Sequence, residues 1–327
     1  MERSHQVVLF AVATLAATAV VVFAAVPLLV LFGGFLFALV LRGVAEALSR
    51  WTKVRYGVCL TGLLILLVVV AGTGAILLGP MLKEQARELA TRIPAAARDL
   101  GVRFQATGLP PPAADSVPDP KILAHGAATV VESFFEALGA FVVVFFVGVY
   151  GAARPGDYAT AALGITPEPY RPRVRRILEQ VSTNLTRWLL GRLVAMAFVG
   201  IASTIAFALL HVPLALALGI LAGLLTFIEY AGALLSAVPP FLLAFTKSST
   251  AAIAVLAVFT ALHVVEGYVL TPLLARASVR IPPAITLAGQ VVLAALVGAI
   301  GMTFSTPLLA VGVLAVQIWR DESRRRE

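Results

Sequence analysis

The chain has 327 residues, 60% of them hydrophobic and only 13% charged, with a formal net charge of +8. Its mean hydropathy of +0.97 excludes a water-soluble globule, and an all-α, polytopic integral membrane protein is the expected fold class. No Walker loop, zinc motif, nucleotide fingerprint or Ser-His-Asp elbow is present, so neither an enzyme nor a cofactor nor a metal centre is expected.

In chain order, the first apolar run, Val7 to Val26, is too long for a signal h-region and lacks a small-residue cleavage context, so it is read as a retained helix. A shorter run, Leu28 to Leu41, follows across Pro27. Tyr56 to Gly79 is the next span and carries Cys59, the single cysteine, which leaves no disulfide framework and no thiol pair. From Pro80 to Leu100 the apolar residues Leu82, Ala86, Leu89, Ile93, Ala97 and Leu100 recur at helical spacing between charged ones. With the stiff Gly108 to Pro120 stretch behind it, this predicts an extracytoplasmic amphipathic helix and Pro-rich linker over residues 80–125.

Ala127 to Tyr150 re-enters the membrane. Residues 153–187 then form a basic segment, where Val174, Ile177, Leu178, Val181 and Leu185 make one apolar stripe beside Arg173, Arg175 and Arg176. That predicts a cytoplasmic amphipathic helix running on into the span Trp188 to Leu210. Arg192, near the start of this span, is expected to reach back to lipid head groups. Leu214 to Phe245, Ala251 to Thr271 and Ala284 to Trp319 complete a single membrane domain over 1–327. Gly and Pro around Pro27, Tyr230 to Gly232 and Gly298 to Gly301 predict broken helices and hairpins, for about eight transmembrane spans in all.

Charge sets the orientation. With alternating spans and a cytoplasmic amino terminus, Arg42, Arg50, Lys53, Arg55, the Arg154 to Arg187 group and the terminal Arg320 to Arg326 fall inside. The outer loops hold mainly cations offset by nearby carboxylates. The positive-inside rule thus predicts a multi-pass cell-membrane protein with both termini cytoplasmic. The basic balance points to anionic lipid at the inner face, and no aromatic-basic platform for nucleic acid is present. Long apolar helices make a homo-oligomer the expected assembly.

Glu229 stands between two apolar runs, where an acidic side chain costs roughly 2.5 to 3.5 kcal/mol. It lies sixteen residues from the outer turn at Pro213, about 24 Å along a helix. Glu266 lies the same distance from Thr250. Gln290 lies seven residues, about 10 Å, in from Pro283 on the opposite side. The three polar groups therefore fall in one layer near the depth where transporters bind solutes on discontinuous helices.

Structural alternatives accompany each residue. Glu266 and His263, three apart, share a helix face and satisfy one another as a hydrogen-bonded pair in one reading. Glu229 snorkels to the inner interface in another, and Gln290 acts as interhelical glue. Ala215, Gly219 and Gly223, spaced by four, form a close-packing ridge within or between protomers.

Several motifs resemble the AI-2E (autoinducer-2 exporter) transporters over nearly the whole chain. Pro80 to Gln85 with Leu89 and Pro94 is similar to a family segment that ends in Leu-Pro. Val212 to Gly219 with Leu221 to Leu225 resembles its sixth-span entry. Phe227-Ile228-x-Tyr230-x-Gly232 resembles Phe-Ile-Pro-Tyr-x-Gly, and Glu266 to Pro272 resembles Glu-x-Tyr-Val-Leu-Thr-Pro. The final Gly298, Gly301 and Pro307 also fit. Thr226 and Glu229 stand where the family has Asn and Pro, and His211 stands where Gly is frequent.

The resemblance implies a bacterial inner-membrane transporter that exports a small polar solute of the autoinducer-2 type. The candidate solute or ion site is Thr226, Glu229, Tyr230, Gly232, His263, Glu266, Thr271 and Gln290. A cation/proton antiporter using Glu229 and Glu266 for a monovalent cation is the alternative, and a non-transporting scaffold or channel-like oligomer is a third.

Overall fold

The computed structural model describes residues 2–106, 141–274 and 281–324, and among these every regular element is helical. The Gly108 to Pro120 linker and the first part of the Ala127 to Tyr150 span lie outside the described residues. The protein is an all-α, multi-pass membrane protein. Among the described residues, five helices are long and apolar enough to cross a membrane, and Phe141–Ala153, Ala215–Leu225 and Ala231–Lys247 are shorter apolar helices.

Helix α1 (Glu2–Thr52) runs through Pro27 without the interruption expected from sequence. A proline within an uninterrupted apolar run removes one backbone hydrogen bond, which such helices tolerate when no glycine loosens the next turn. Helix α2 (Tyr56–Ala106) likewise passes Pro80, joining the predicted span and the predicted amphipathic segment into one rod. Then come α3 (Phe141–Ala153), α4 (Pro155–Gly164) and α5 (Arg171–Leu209). In α5 the basic amphipathic stretch continues directly into the apolar span.

The described residues within Met1–Leu39, Ala140–Val181 and Val279–Glu327 form one compact unit, and those within Val40–Gly139 and Ser182–Ser278 form a second. In the first unit, α1 and α3 meet through small residues. A Cβ on Gly151 would stand 2.8 Å from Ala38 Cβ, and Phe37 and Phe145 pack with ring centroids 6.1 Å apart. The last helix, α10 (Pro283–Arg324), is a hairpin rather than a rod. Gly298 adopts φ 70°, ψ −152°, and Gly289 on one limb lies against Leu309 on the other. A left-handed φ with this ψ is open almost only to glycine, so the reversal is written at that residue. Gln290 is buried in the first limb, and Arg173 stacks over Trp319 at 4.1 Å.

In the second unit, α6 (Ala215–Leu225), a turn at Thr226 to Tyr230, and α7 (Ala231–Lys247) form a helical hairpin. Eleven residues extend about 16 Å, so α6 cannot cross a membrane core of about 30 Å. The hairpin's two ends meet: Lys247 Nζ donates to the His211 carbonyl. Next come α8 (Ser249–Val265), a π-helical turn (Glu266–Leu270) and the short α9 (Thr271–Leu274). Ser248 caps α8 by accepting the Ala251 N–H at 3.1 Å. Pro272 has no N–H for the helix ladder and Gly267 weakens the same turn, which accounts for the widening to π geometry there.

The core of this unit gathers Val199 and Phe207 of α5, Leu218 and Ala222 of α6, Leu243 of α7, and Val255 and Phe259 of α8. The small-residue ridge packs within the protomer. A Cβ on Gly219 would lie 2.8 Å from the Gly200 carbonyl oxygen, and one on Gly223 would lie 2.8 Å from that of Met196. Backbones of α5 and α6 thus approach to a separation that only glycine permits.

Candidate functional site

The α6–α7 hairpin carries its turn to a charged group on α5. Arg192 Nη1 lies 3.4 Å from Glu266 Oε1, with the two side chains only 11% and 13% exposed. Arg192 Nε donates to the Phe227 carbonyl in the hairpin turn at 3.4 Å. One helical turn earlier, Trp188 Nε1 donates to Glu229 Oε1 at 3.4 Å, and its ring meets Phe227 edge-on. Both carboxylates act electrostatically on Arg192. One guanidinium therefore faces two carboxylates from two different elements.

Local backbone geometry brings them together. Tyr230, at the entry of α7, sits at φ 57°, ψ −63°, outside the regions an L-residue prefers, at a cost of about 1 to 3 kcal/mol. It is about half exposed, beside the buried cluster. Gly232 lies directly against the Leu225 carbonyl, where the two limbs cross. Thr226 is buried, and its hydroxyl donates to the Ala222 carbonyl at 2.7 Å, so its proton is engaged within its own helix.

Two sequence expectations change. Arg192 does not reach back along its helix but turns into the unit, because two carboxylates and a carbonyl converge on it from the hairpin and the π turn. The predicted His263–Glu266 pair is not formed. Glu266 meets Arg192, and His263 Nδ1 hydrogen-bonds its own helix at the Phe259 carbonyl, 3.0 Å away. The π turn starts at Glu266 and alters the i, i+3 geometry that the pairing assumed. Thr271 opens α9. Gln290 belongs to the other compact unit.

The sequence profile of the AI-2E family transporters matches residues 9–321. The chain belongs to the AI-2E transporter family. In Bacillus subtilis (strain 168), the protein named "Putative transport protein YrrI" is 29% identical over 147 residues, covering 45% of this chain and 42% of that relative. "Putative transport protein YueF" of the same organism is 28% identical over 150 residues, or 46% of this chain and 41% of the relative. The chain thus matches less than half the length of these curated relatives.

The AI-2E motif residues acquire physical roles. Gln85 Oε1, from α2, accepts the Ala217 N–H at 3.1 Å. That bond satisfies a donor in the first turn of α6, whose own N-cap, Leu214, offers no side-chain acceptor. His211, where the AI-2E pattern favours glycine, has φ 54°, a left-handed conformation that glycine adopts without strain. Glu229 occupies the family's proline position, yet the helix still breaks there, through the Tyr230 backbone and the Gly232 crossing.

Trp188, Arg192 and the Phe227 carbonyl were absent from the sequence-derived site. A signal for Arg192 existed. It lies seventeen residues before Leu209, about 26 Å along α5, the depth that singled out Glu229 and Glu266.

Proposed function

We propose that this transporter exports a small polar solute, of the hydroxylated signalling type after which the family is called, by alternating access at the hairpin turn. The observation that carries the reading is the Arg192, Glu229 and Glu266 cluster at the tip of a hairpin too short to cross the membrane. Such a cluster offers donors and acceptors to hydroxyl groups without a bulk positive charge. The exposed Tyr230 hydroxyl adds one more group to it. In this reading the α6–α7 hairpin moves against α5 and α8, with the closely packed glycines of α5 and α6 as the sliding surface.

A second reading, cation/proton antiport, is favoured by one specific feature: two carboxylates face a single guanidinium. In this reading either carboxylate would bind a proton or a monovalent cation in turn.

Proteoliposome flux separates the two. With autoinducer-2 as the solute, Glu229→Gln combined with Glu266→Gln is expected to alter efflux while sodium- or lithium-driven proton movement stays at background. Unaltered efflux overturns the export reading. Proton movement present in the native chain and lost in the double variant selects the antiporter.

The same reading puts both termini on the cytoplasmic side and the protein in the cell membrane, as a homo-oligomer. Anionic lipid head groups would meet Arg171, Arg175 and Arg176, which with Thr160 and Glu179 line an open depression of about 620 Å3.

A further inference from the structure

We propose that Ser203 and His263 bind a single water-sized hydrogen-bonding ligand, a water or the hydronium that delivers a proton, with His263 Nε2 as the proton-accepting atom of transport. The site deepens the transport reading and rests on it for the coupling role alone.

Helices α5 and α8 run antiparallel. At one end Lys247, just before α8, meets His211, just after α5, and at the other Arg192 of α5 meets Glu266, just after α8. Between these ends Phe207 and Phe259 stack with centroids 6.2 Å apart and planes 17° apart. Ser203 precedes Phe207 by one turn and His263 follows Phe259 by one turn. Both therefore step from the aromatic stack toward the charged cluster, at facing positions. The His263 ring also packs on Phe259, with centroids 4.3 Å apart.

Ser203 is fully buried. Its Oγ and His263 Nε2 are both shut away from solvent without a protein hydrogen-bond partner. That is unusual for a helical hydroxyl, which can bond the carbonyl one turn back, as those of Thr204, Thr226 and Ser236 do here. Two orphaned polar atoms in one apolar interval carry a desolvation cost of about 1 to 3 kcal/mol each unless a small ligand joins them.

The chemistry of that ligand follows from the tautomer. The Phe259 carbonyl can only accept, so Nδ1, 3.0 Å from it, carries the ring proton. In the neutral ring Nε2 then presents a bare lone pair. The lone pair repels an anion, and one imidazole with one hydroxyl is a poor ligand set for a metal. Water donates to Nε2 while exchanging a hydrogen bond with Ser203 Oγ. Transfer from hydronium forms the Nε2–H bond, breaks one O–H bond and leaves water in place.

A cluster of charged groups begins one turn beyond His263, at Glu266. Arg192 comes from α5, Glu229 and Tyr230 from the hairpin turn, and Glu266 from the π turn. Phe207, Phe259 and Val255 close the interval on the side away from the charged cluster, and Val199 lies on α5 between Ser203 and Arg192.

Nitrogen-15 histidine NMR on the full chain in lipid nanodiscs tests the site, with the His263 signal identified by its loss in His263→Gln. The expected spectrum has a protonated Nδ1 and a bare Nε2. Ser203→Ala should move the His263 Nε2 resonance without moving the His211 signal. An Nε2-protonated neutral ring, or a Ser203→Ala spectrum identical to the native one, overturns the proposal. In proteoliposomes, His263→Gln is expected to abolish the dependence of autoinducer-2 efflux on an imposed proton gradient, and retained dependence overturns the coupling role. A native chain that moves no solute refutes the transport reading alone, since the NMR result stands independently.

Discussion

Replacing Arg192 with methionine removes the one guanidinium between Glu266 and Glu229 while keeping an unbranched apolar stem. The pair it breaks has N and O 3.4 Å apart, with nearly nine-tenths of each side chain covered. At that separation two unit charges attract by about 5 kcal/mol at an effective dielectric of about 20. Loss of hydration offsets part of this, and removing one partner of a buried pair costs about 3 to 5 kcal/mol because the other charge remains. Arg192→Met is therefore expected to lower the unfolding free energy by about 3 kcal/mol or more. Glu266→Gln leaves Arg192 facing Glu229 and should cost less, about 1 to 2 kcal/mol. The combined variant should fall short of the sum by about 2 kcal/mol, the coupling between the two groups. Reversible unfolding in mixed SDS and detergent micelles, run on the native chain and the three variants, measures each term. Additivity to within about 0.5 kcal/mol refutes the ion pair as a contributor to the unit.

Two further substitutions probe the hairpin. Gly232→Ala places a methyl against the Leu225 carbonyl, a backbone atom that cannot rotate aside. The overpacking cost of about 1 to 3 kcal/mol should outweigh the roughly 1 kcal/mol gain in helix propensity. A melting temperature equal to or above the native one would show that the crossing is looser than described. Gln85→Ala strips the acceptor from the Ala217 N–H and is expected to cost about 0.5 to 2 kcal/mol, with faster amide hydrogen exchange confined to the first turn of α6. Unchanged exchange at Ala217 would remove Gln85 from the capping role.

The sequence announced the apolar helices and the two hairpins, because Gly298 and the Tyr230 to Gly232 segment stand where the backbone has to turn. It misplaced the break at Pro27, since proline in a long apolar run is compatible with both a kink and an uninterrupted helix, and only packing decides. The family-level fold and the transporter class were legible from short motifs. The charged cluster was half legible: Glu229 and Glu266 announce themselves as costly residues in apolar runs. Their counter-charge did not, because Arg192 sits near a basic segment and looked like its continuation. Depth along the helix, rather than distance from the nearest charge, is the quantity that separates a snorkelling arginine from a buried one. The His263 pairing failed for a local reason, since helical spacing assumes α geometry and the ladder widens at Glu266. Gly232 was selected as a possible ligand contact. Its position against the Leu225 carbonyl shows a steric role at the limb crossing.

Glu229 also explains how a hairpin can keep its turn without the proline the family uses there. Proline breaks a helix by withholding an N–H and fixing φ. Here the break rests instead on Tyr230, held at positive φ, and on the carboxylate before it, which the Trp188 indole engages from α5. Arg192 secures the same turn a second time through the Phe227 carbonyl. The turn is thus held by side chains of a neighbouring helix rather than by its own covalent geometry. Side-chain bonds can be exchanged for bonds to a solute or a proton, whereas a proline ring cannot. The substitution that separates this chain from its family pattern therefore ties the shape of the hairpin tip to the charge state of the cluster beneath it.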